Sequence, residues 1–186
     1  MLEVYVLVQG MMGEKETATT SLVLGDNFSM IVDPTVLHTK QTLIDSLRNY
    51  NLEINDVDYV FITHMHMDHI RNIGMFPDKT KIVEYYGMWE REHKNEDYLL
   101  PEGLKVVRTP GHTPNCISLL VETSKGLIGI CGDVFWHKDG PEFDRFATDM
   151  ETLKQSRKTL LEMCDYIIPG HGSMFNVKKI NYYTLF

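Results

Sequence analysis

The feature that most limits what this chain can become is the run Thr63-His64-Met65-His66-Met67-Asp68-His69, with three imidazoles and a carboxylate inside six residues. It follows directly on Tyr59-Val60-Phe61-Ile62, a short apolar run of the kind that forms a buried strand. Neutral imidazole and carboxylate are the ligands that zinc and related first-row divalent ions take. The bland alternative is a surface loop that happens to be rich in His and Met. It is a poor one, because the whole chain of 186 residues holds only 8 histidines. Thioethers suit soft copper(I) rather than a His/Asp site, so Met65 and Met67 are expected to pack inward and not to ligate.

Three other segments share one grammar: an apolar strand, a Gly-rich or Pro-rich turn, then a ligand-type residue. They are Val107-Arg108-Thr109-Pro110-Gly111-His112-Thr113, Ile130-Cys131-Gly132-Asp133 and Ile167-Ile168-Pro169-Gly170-His171-Gly172. Any one of them alone is most simply a turn. Taken with the first run they cannot form one local loop, and they fit a cleft assembled where several strands end.

The remaining pattern supplies the frame. Strands are expected at Val4-Tyr5-Val6-Leu7-Val8, at Thr20-Ser21-Leu22-Val23-Leu24 and, across a Gly25-Asp26-Asn27 turn, at Phe28-Ser29-Met30-Ile31-Val32. Further strands are expected at Lys81-Ile82-Val83, Lys105-Val106-Val107, Ile117 to Val121, Leu127 to Ile130 and Asp165 to Ile168. Leu43, Ile44 and Leu47 predict a helix from Thr39, its N-cap, to Tyr50, and Leu153, Leu160 and Leu161 predict another from Asp149 to Met163. A strand-rich start followed by alternating strands and helices predicts two sheets with helices outside, an α+β arrangement.

Length suits a single domain over 1–186, and 43% hydrophobic residues suffice for a sizeable core. No apolar run approaches the roughly 20 residues that span a membrane. The start, Met1-Leu2-Glu3-Val4, does not read as a signal peptide, so a soluble cytoplasmic protein is the default expectation. Cys116, Cys131 and Cys164 are odd in number, widely spaced and set in apolar stretches, which suggests small buried hydrophobes and not disulfides or zinc thiolates. A net charge of −8 and no basic run longer than Lys178-Lys179 disfavour extensive nucleic-acid binding. They do not exclude phosphodiester cleavage, since bound divalent ions bring positive charge to the place a phosphate must occupy.

The order HxHxDH…H…D…H, formed by His64, His66, Asp68, His69, His112, Asp133 and His171, resembles the metallo-β-lactamase superfamily over nearly the whole chain. The resemblance implies a four-layer αββα sandwich and a dinuclear metal-dependent hydrolase. It implies one divalent ion held by His64, His66 and His112, a second held by Asp68, His69 and His171, and Asp133 as the bridge. Zinc is the default, with iron or manganese in some relatives. The implied nucleophile is a metal-bound hydroxide, oriented also by Asp68. The implied substrate is a small molecule or a phosphodiester: an ester, thioester, lactone, amide or RNA. Asp33, in Val32-Asp33-Pro34-Thr35, matches the family's first aspartate motif, which implies hydrogen bonds to the ligand loop without metal contact; a plain strand-ending Asp-Pro turn reads almost as well. Gly132-Asp133-Val134-Phe135, Gln155-Ser156-Arg157-Lys158 and Pro169-Gly170-His171-Gly172 resemble a narrower branch of the superfamily that implies RNA processing, and the acidic balance weighs against it.

Relatives with di-iron redox chemistry carry Glu where this chain has His66, which favours hydrolysis. A mononuclear iron dioxygenase acting on a persulfide, using only His64, His112 and Asp133, is the alternative. A metal-stabilised binding module ranks last, because a structural zinc site needs only four ligands. Thr63 reads as structural, His38 as a surface residue, and His93 as part of a solvated charged face or loop from Glu90 to Asp97. His137, Phe135 and Trp136 are candidates for lining the cleft, although aromatic residues are more often core. A shallow open cleft is expected, with a homodimer contact through residues 84–100 or the Tyr182 to Phe186 tail as an option.

Overall fold

Alternation along the early strands shows how the chain layers itself. In β2 (Thr20–Gly25) and β3 (Phe28–Val32), Val23, Met30 and Val32 point to one face while Leu22 and Ile31 point to the other. Both faces are buried, so both must be covered. The computed structural model, which describes residues 1–14, 16–35 and 39–179, shows what covers them.

The first sheet has the order β1-β2-β3-β4-β5-β6-β7, adding β1 (Glu3–Val8), β4 (Tyr59–Phe61), β5 (Lys81–Glu84), β6 (Gly87–Glu90) and β7 (His93–Asn95). Its middle strands, β3 to β5, run parallel. The second sheet has the order β12-β11-β10-β9-β8, from β8 (Leu104–Arg108), β9 (Ile117–Thr123), β10 (Gly126–Ile130), β11 (Tyr166–Ile168) and β12 (Phe175–Asn176). Val23, Met30, Val32, Phe61 and Val83 of the first sheet meet Ile117, Leu119, Val121, Ile130 and Ile168 of the second in the central core. On the outer side of the first sheet, Leu22, Ile31 and Val60 pack on Leu43 and Leu47 of α1 (Gln41–Arg48). On the outer side of the second, Leu120 and Ile167 pack on Leu153, Leu160 and Leu161 of α3 (Met150–Met163). The result is the αββα sandwich.

Several expectations need correction. Thr39 does not cap α1: the residue before the helix is Lys40, in helical conformation and without a capping bond, while Thr39 accepts the Thr42 N–H through its carbonyl at 3.2 Å and its hydroxyl meets the Thr42 hydroxyl at 3.4 Å. The charged run around His93 is the solvated face expected of it, with a turn at Arg91-Glu92 leading into β7, an edge strand that pairs with β6. Strands and helices do not alternate through the second half. β8, β9 and β10 follow one another as an antiparallel meander, and α3 is the one α-helix among the described residues there. Asp149 does begin that helix, accepting the N–H groups of Glu151 and Thr152. The three cysteines are free and buried; burial lifts the thiols of Cys116 and Cys164 to about 11 and about 12. His38 and the Tyr182 to Phe186 tail lie outside the described residues. None of the described helices is long and apolar enough to cross a membrane.

Candidate metal centre

Parallel strands end on the same edge, and that edge collects the ligand-type residues. Asp33 follows β3, His64 follows β4, and α2 (Met67–Ile70) carries Asp68 and His69. The second sheet delivers Asp133 after β10 and His171 after β11, and the turn after β8 delivers His112. His64, His66, His112 and Asp133 place one ligand atom each within 4.8 Å of one another, and so do Asp68, His69 and His171. Asp133 stands between the two groups: its Oδ1 lies 3.2 Å from Nε2 of both His69 and His171, and its Oδ2 lies 3.4 Å from Nε2 of His112. All seven predicted ligands are therefore together.

The outward ring nitrogens decide which atoms face inward. Asp33 accepts the backbone N–H of Thr63 on Oδ1 at 2.8 Å, and on Oδ2 it accepts the Thr63 hydroxyl at 2.7 Å and His69 Nδ1 at 2.8 Å. Since Thr63 Oγ1 donates to Asp33, it accepts from His64 Nδ1 at 3.1 Å. His171 Nδ1 donates to the carbonyl of Thr17 at 3.0 Å, and His112 Nδ1 to Asp144 at 2.6 Å. A carbonyl or an ionised carboxylate can only accept, so these four rings donate from Nδ1, and Nε2 is the nitrogen each turns toward the centre. Asp33 makes these bonds with φ 51°, a left-handed conformation that only a few non-glycine residues tolerate.

Burial is the first cause of the electrostatics. It holds His64 well below the ordinary imidazole value and lowers His66, with neighbouring imidazoles adding to the effect. For His69 burial pulls down, but the carboxylates of Asp133 and Asp33 outweigh it and the ring stands well above the ordinary value. His171 is also raised, against burial, chiefly by Asp133. Asp133 stands well below the usual carboxylate range, since the surrounding imidazoles, His69 foremost, overcome its burial.

The site fits a metal. Nε2 of His64, Nε2 of His69 and Oδ1 of Asp133 are buried atoms without a hydrogen-bond partner. Unpaired buried polar atoms are costly, and three of them set among two adjoining groups of metal-type side chains suit divalent cations. Close packing enforces the convergence: a Cβ on Gly170 would overlap Asp133 Oδ1, and Gly132, at φ +51°, would overlap the Thr63 hydroxyl.

The site opens on a cleft of about 250 Å³ walled by Met12, Glu16, Met67, Asp68 and Phe146 with the candidate ligands His66, Asp133 and His171. Met65 and Met67 are not packed inward, at 62% and 58% exposure. The ligand loop is extended at His66, so turning His64 and His66 inward turns Met65 out, and Met67 opens α2 at the mouth. Phe135 is buried core, Trp136 sits 6.5 Å from the His171 ring without lining the cleft, and His137 is exposed outside it. A larger cavity of about 830 Å³ lies at the opposite edge, near the starts of β3, β4 and β5, with none of the predicted ligands.

Some supporting residues have no role assignable from sequence, although Ser156 and Arg157 lie in the Gln155-to-Lys158 segment that carries a family resemblance. Ser156 donates to the Pro110 carbonyl at 2.6 Å and the buried Arg157 Nε donates to the Val134 carbonyl at 2.8 Å, so α3 braces the turns that carry His112 and Asp133. Asp144 and the Thr17 carbonyl had no motif to reveal them, because both are loop partners brought in from distant sequence.

This sandwich, with ligand loops along one edge of stacked sheets, defines a metal-dependent hydrolase. Residues 15–103 match the family described as the metallo-beta-lactamase superfamily. Metallo-beta-lactamase domain-containing protein 1 of Xenopus laevis is 37% identical over 81% of this chain and 69% of its own length. The chain belongs to the metallo-β-lactamase superfamily. Among solved structures, a putative metallo-beta-lactamase from Thermotoga maritima matches with TM-score 0.69 at 19% identity, covering 94% of this chain and 99% of that one. An N-acyl homoserine lactone hydrolase with N-hexanoyl-L-homoserine bound at its catalytic metal centre matches with TM-score 0.67 at 19% identity, covering 91% and 92%.

Proposed function

We propose that this chain is a dinuclear hydrolase acting on a small ester-type substrate: a lactone, ester or thioester. The observation that carries the reading is the trio of unpaired buried atoms, His64 Nε2, His69 Nε2 and Asp133 Oδ1, spread across two adjoining ligand groups. The second group, Asp68, His69 and His171, is what a mononuclear persulfide dioxygenase would not need. Zinc is the ion this nitrogen and oxygen set suits best. Two such ions, when bound, polarise the substrate oxygen and lower the pKa of water.

The chain's own residues do the rest. Asp133 remains ionised and supplies the anion that both groups share. Asp68, whose side chain is 22% exposed, stands at the mouth with Oδ2 3.6 Å from Nε2 of His69 and His171, placed to orient a water and take its proton. Met12, Met67 and Phe146 offer apolar contact to the body of the substrate. Among the described residues, every charged side chain on the wall besides the histidines is acidic, which supports a small carbonyl substrate over a polyanionic RNA strand. In keeping with this, the lactone hydrolase of the same fold holds its product at its metal centre.

The test is metal content per chain on protein purified without chelator, followed by a screen of lactones, esters, thioesters and phosphodiesters. About two equivalents of zinc with turnover of a carbonyl substrate is the expected result. One equivalent of iron alone, with oxygen uptake on a persulfide, would overturn it.

A further inference from the structure

Asp144 belongs to none of the motifs that mark the site, yet its carboxylate is 1% exposed. Oδ2 lies 2.6 Å from His112 Nδ1, and Oδ1 accepts the backbone N–H of Phe146 at 2.8 Å. With one oxygen anchored by the backbone, the other cannot swing away from the imidazole. The same segment grips the His112 turn through its backbone. Thr148 N–H donates to the His112 carbonyl and Asp149 N–H to the Gly111 carbonyl, each at 3.0 Å. The Thr148 hydroxyl also donates to Gly111, again at 3.0 Å. Burial lowers the pKa of Arg157, whose Nη1 and Nη2 have no hydrogen-bond partner, and the charge of Asp144 opposes that.

We propose that Asp144 is a positioning residue for the metal centre, acting through His112. It holds the proton on Nδ1, fixes the ring plane and raises the basicity of the Nε2 that faces His66 and Asp133. His112 Nε2 lies 3.0 Å from His66 Nδ1, so a small rotation of the ring would open that ligand group. A carboxylate behind a ligand histidine typically changes metal affinity 10–100-fold. The inference rests on the dinuclear reading of the site, and it makes a statement that reading does not: Asp144 serves one ligand group only.

The test compares zinc binding by the full-length wild type and Asp144→Asn, through chelator competition that resolves successive equivalents, with absorption of the cobalt(II)-substituted forms alongside. The expected result is one equivalent weakened about 10–100-fold with the other unchanged, and a shifted cobalt spectrum for the weakened site alone. Wild-type affinity for both equivalents would overturn the proposal, and so would an equal weakening of both, which marks a general structural role. Should Asp144→Asn fail to fold, because Arg157 loses that opposing charge, Asp144→Glu is judged by the same two criteria. The wild-type stoichiometry is a separate outcome: a single equivalent there would sink the dinuclear reading while the comparison between wild type and variant still decides the role of Asp144.

Discussion

Asp33 in the first half of the molecule and Asp144 in the second each stand behind a ligand histidine, but they are held in different ways. Asp33 ends β3, beside β4 in a parallel pair, and its two oxygens take three hydrogen bonds from Thr63 and His69. Through the Thr63 hydroxyl it also reaches His64, so one carboxylate orients ligands of both groups. Asp144 lies in a loop, serves His112 alone among the ligands, and owes its position to the backbone of residues 146–149 and to α3. Strand ends are set by the sheet ladder, which makes them rigid supports. Loop supports must be tied down one bond at a time.

The comparison can be broken or sharpened by experiment. The largest effect is expected from the residue both halves share. Asp133→Ala should strip both equivalents of metal and abolish turnover, checked by elemental analysis and assay; retention of one full equivalent would show that the groups are independent of Asp133. Next, Asp33→Asn should weaken both equivalents, each by about 10–100-fold, where Asp144→Asn weakens one. For the site both variants touch, the two free-energy losses should add to within about 0.5 kcal/mol if the halves are separate supports. A marked shortfall would mean one continuous network.

Acidification should then separate the groups. Protons compete with metal at Nε2. His69 and His171 stand above the ordinary imidazole value, and His64 and His66 stand below it. As pH falls, the raised rings take up protons first, so the ion at Asp68, His69 and His171 should leave at a higher pH than the ion at His64, His66 and His112. Metal release followed against pH reads this directly, and the reverse order would refute it. The smallest effect is at the wall: Phe146→Ala should raise KM for the best carbonyl substrate by roughly three- to tenfold, about 1 kcal/mol of apolar contact, with both equivalents of metal retained.

What could be read from the sequence follows the same division. The run from His64 to His69 and the turns at His112, Asp133 and His171 were legible because ligands at strand ends leave a local signature: an apolar strand, a tight turn, a ligand residue. Asp33 was legible through its likeness to the family's first aspartate motif. The outward turn of Met65 and Met67 was misjudged, since residue chemistry was weighed there without the extended backbone that alternates inside and outside. Asp144 and the Thr17 carbonyl were not legible at all, and Ser156 and Arg157 were marked only by a segment resemblance that gave them no role. Their partners lie 23 to 154 residues away.

By itself, the sequence marked the candidate ligands and the layered α+β architecture, because periodicity and side-chain type are local properties, and its family resemblance implied the class of chemistry. Only the tertiary structure decided which nitrogen of each histidine faces the centre, which carboxylate stands behind which ligand, and which side chains wall the cleft. Those depend on hydrogen bonds closed across two sheets and on loops packed against α3, and no local pattern of residues encodes a partner that only folding brings near.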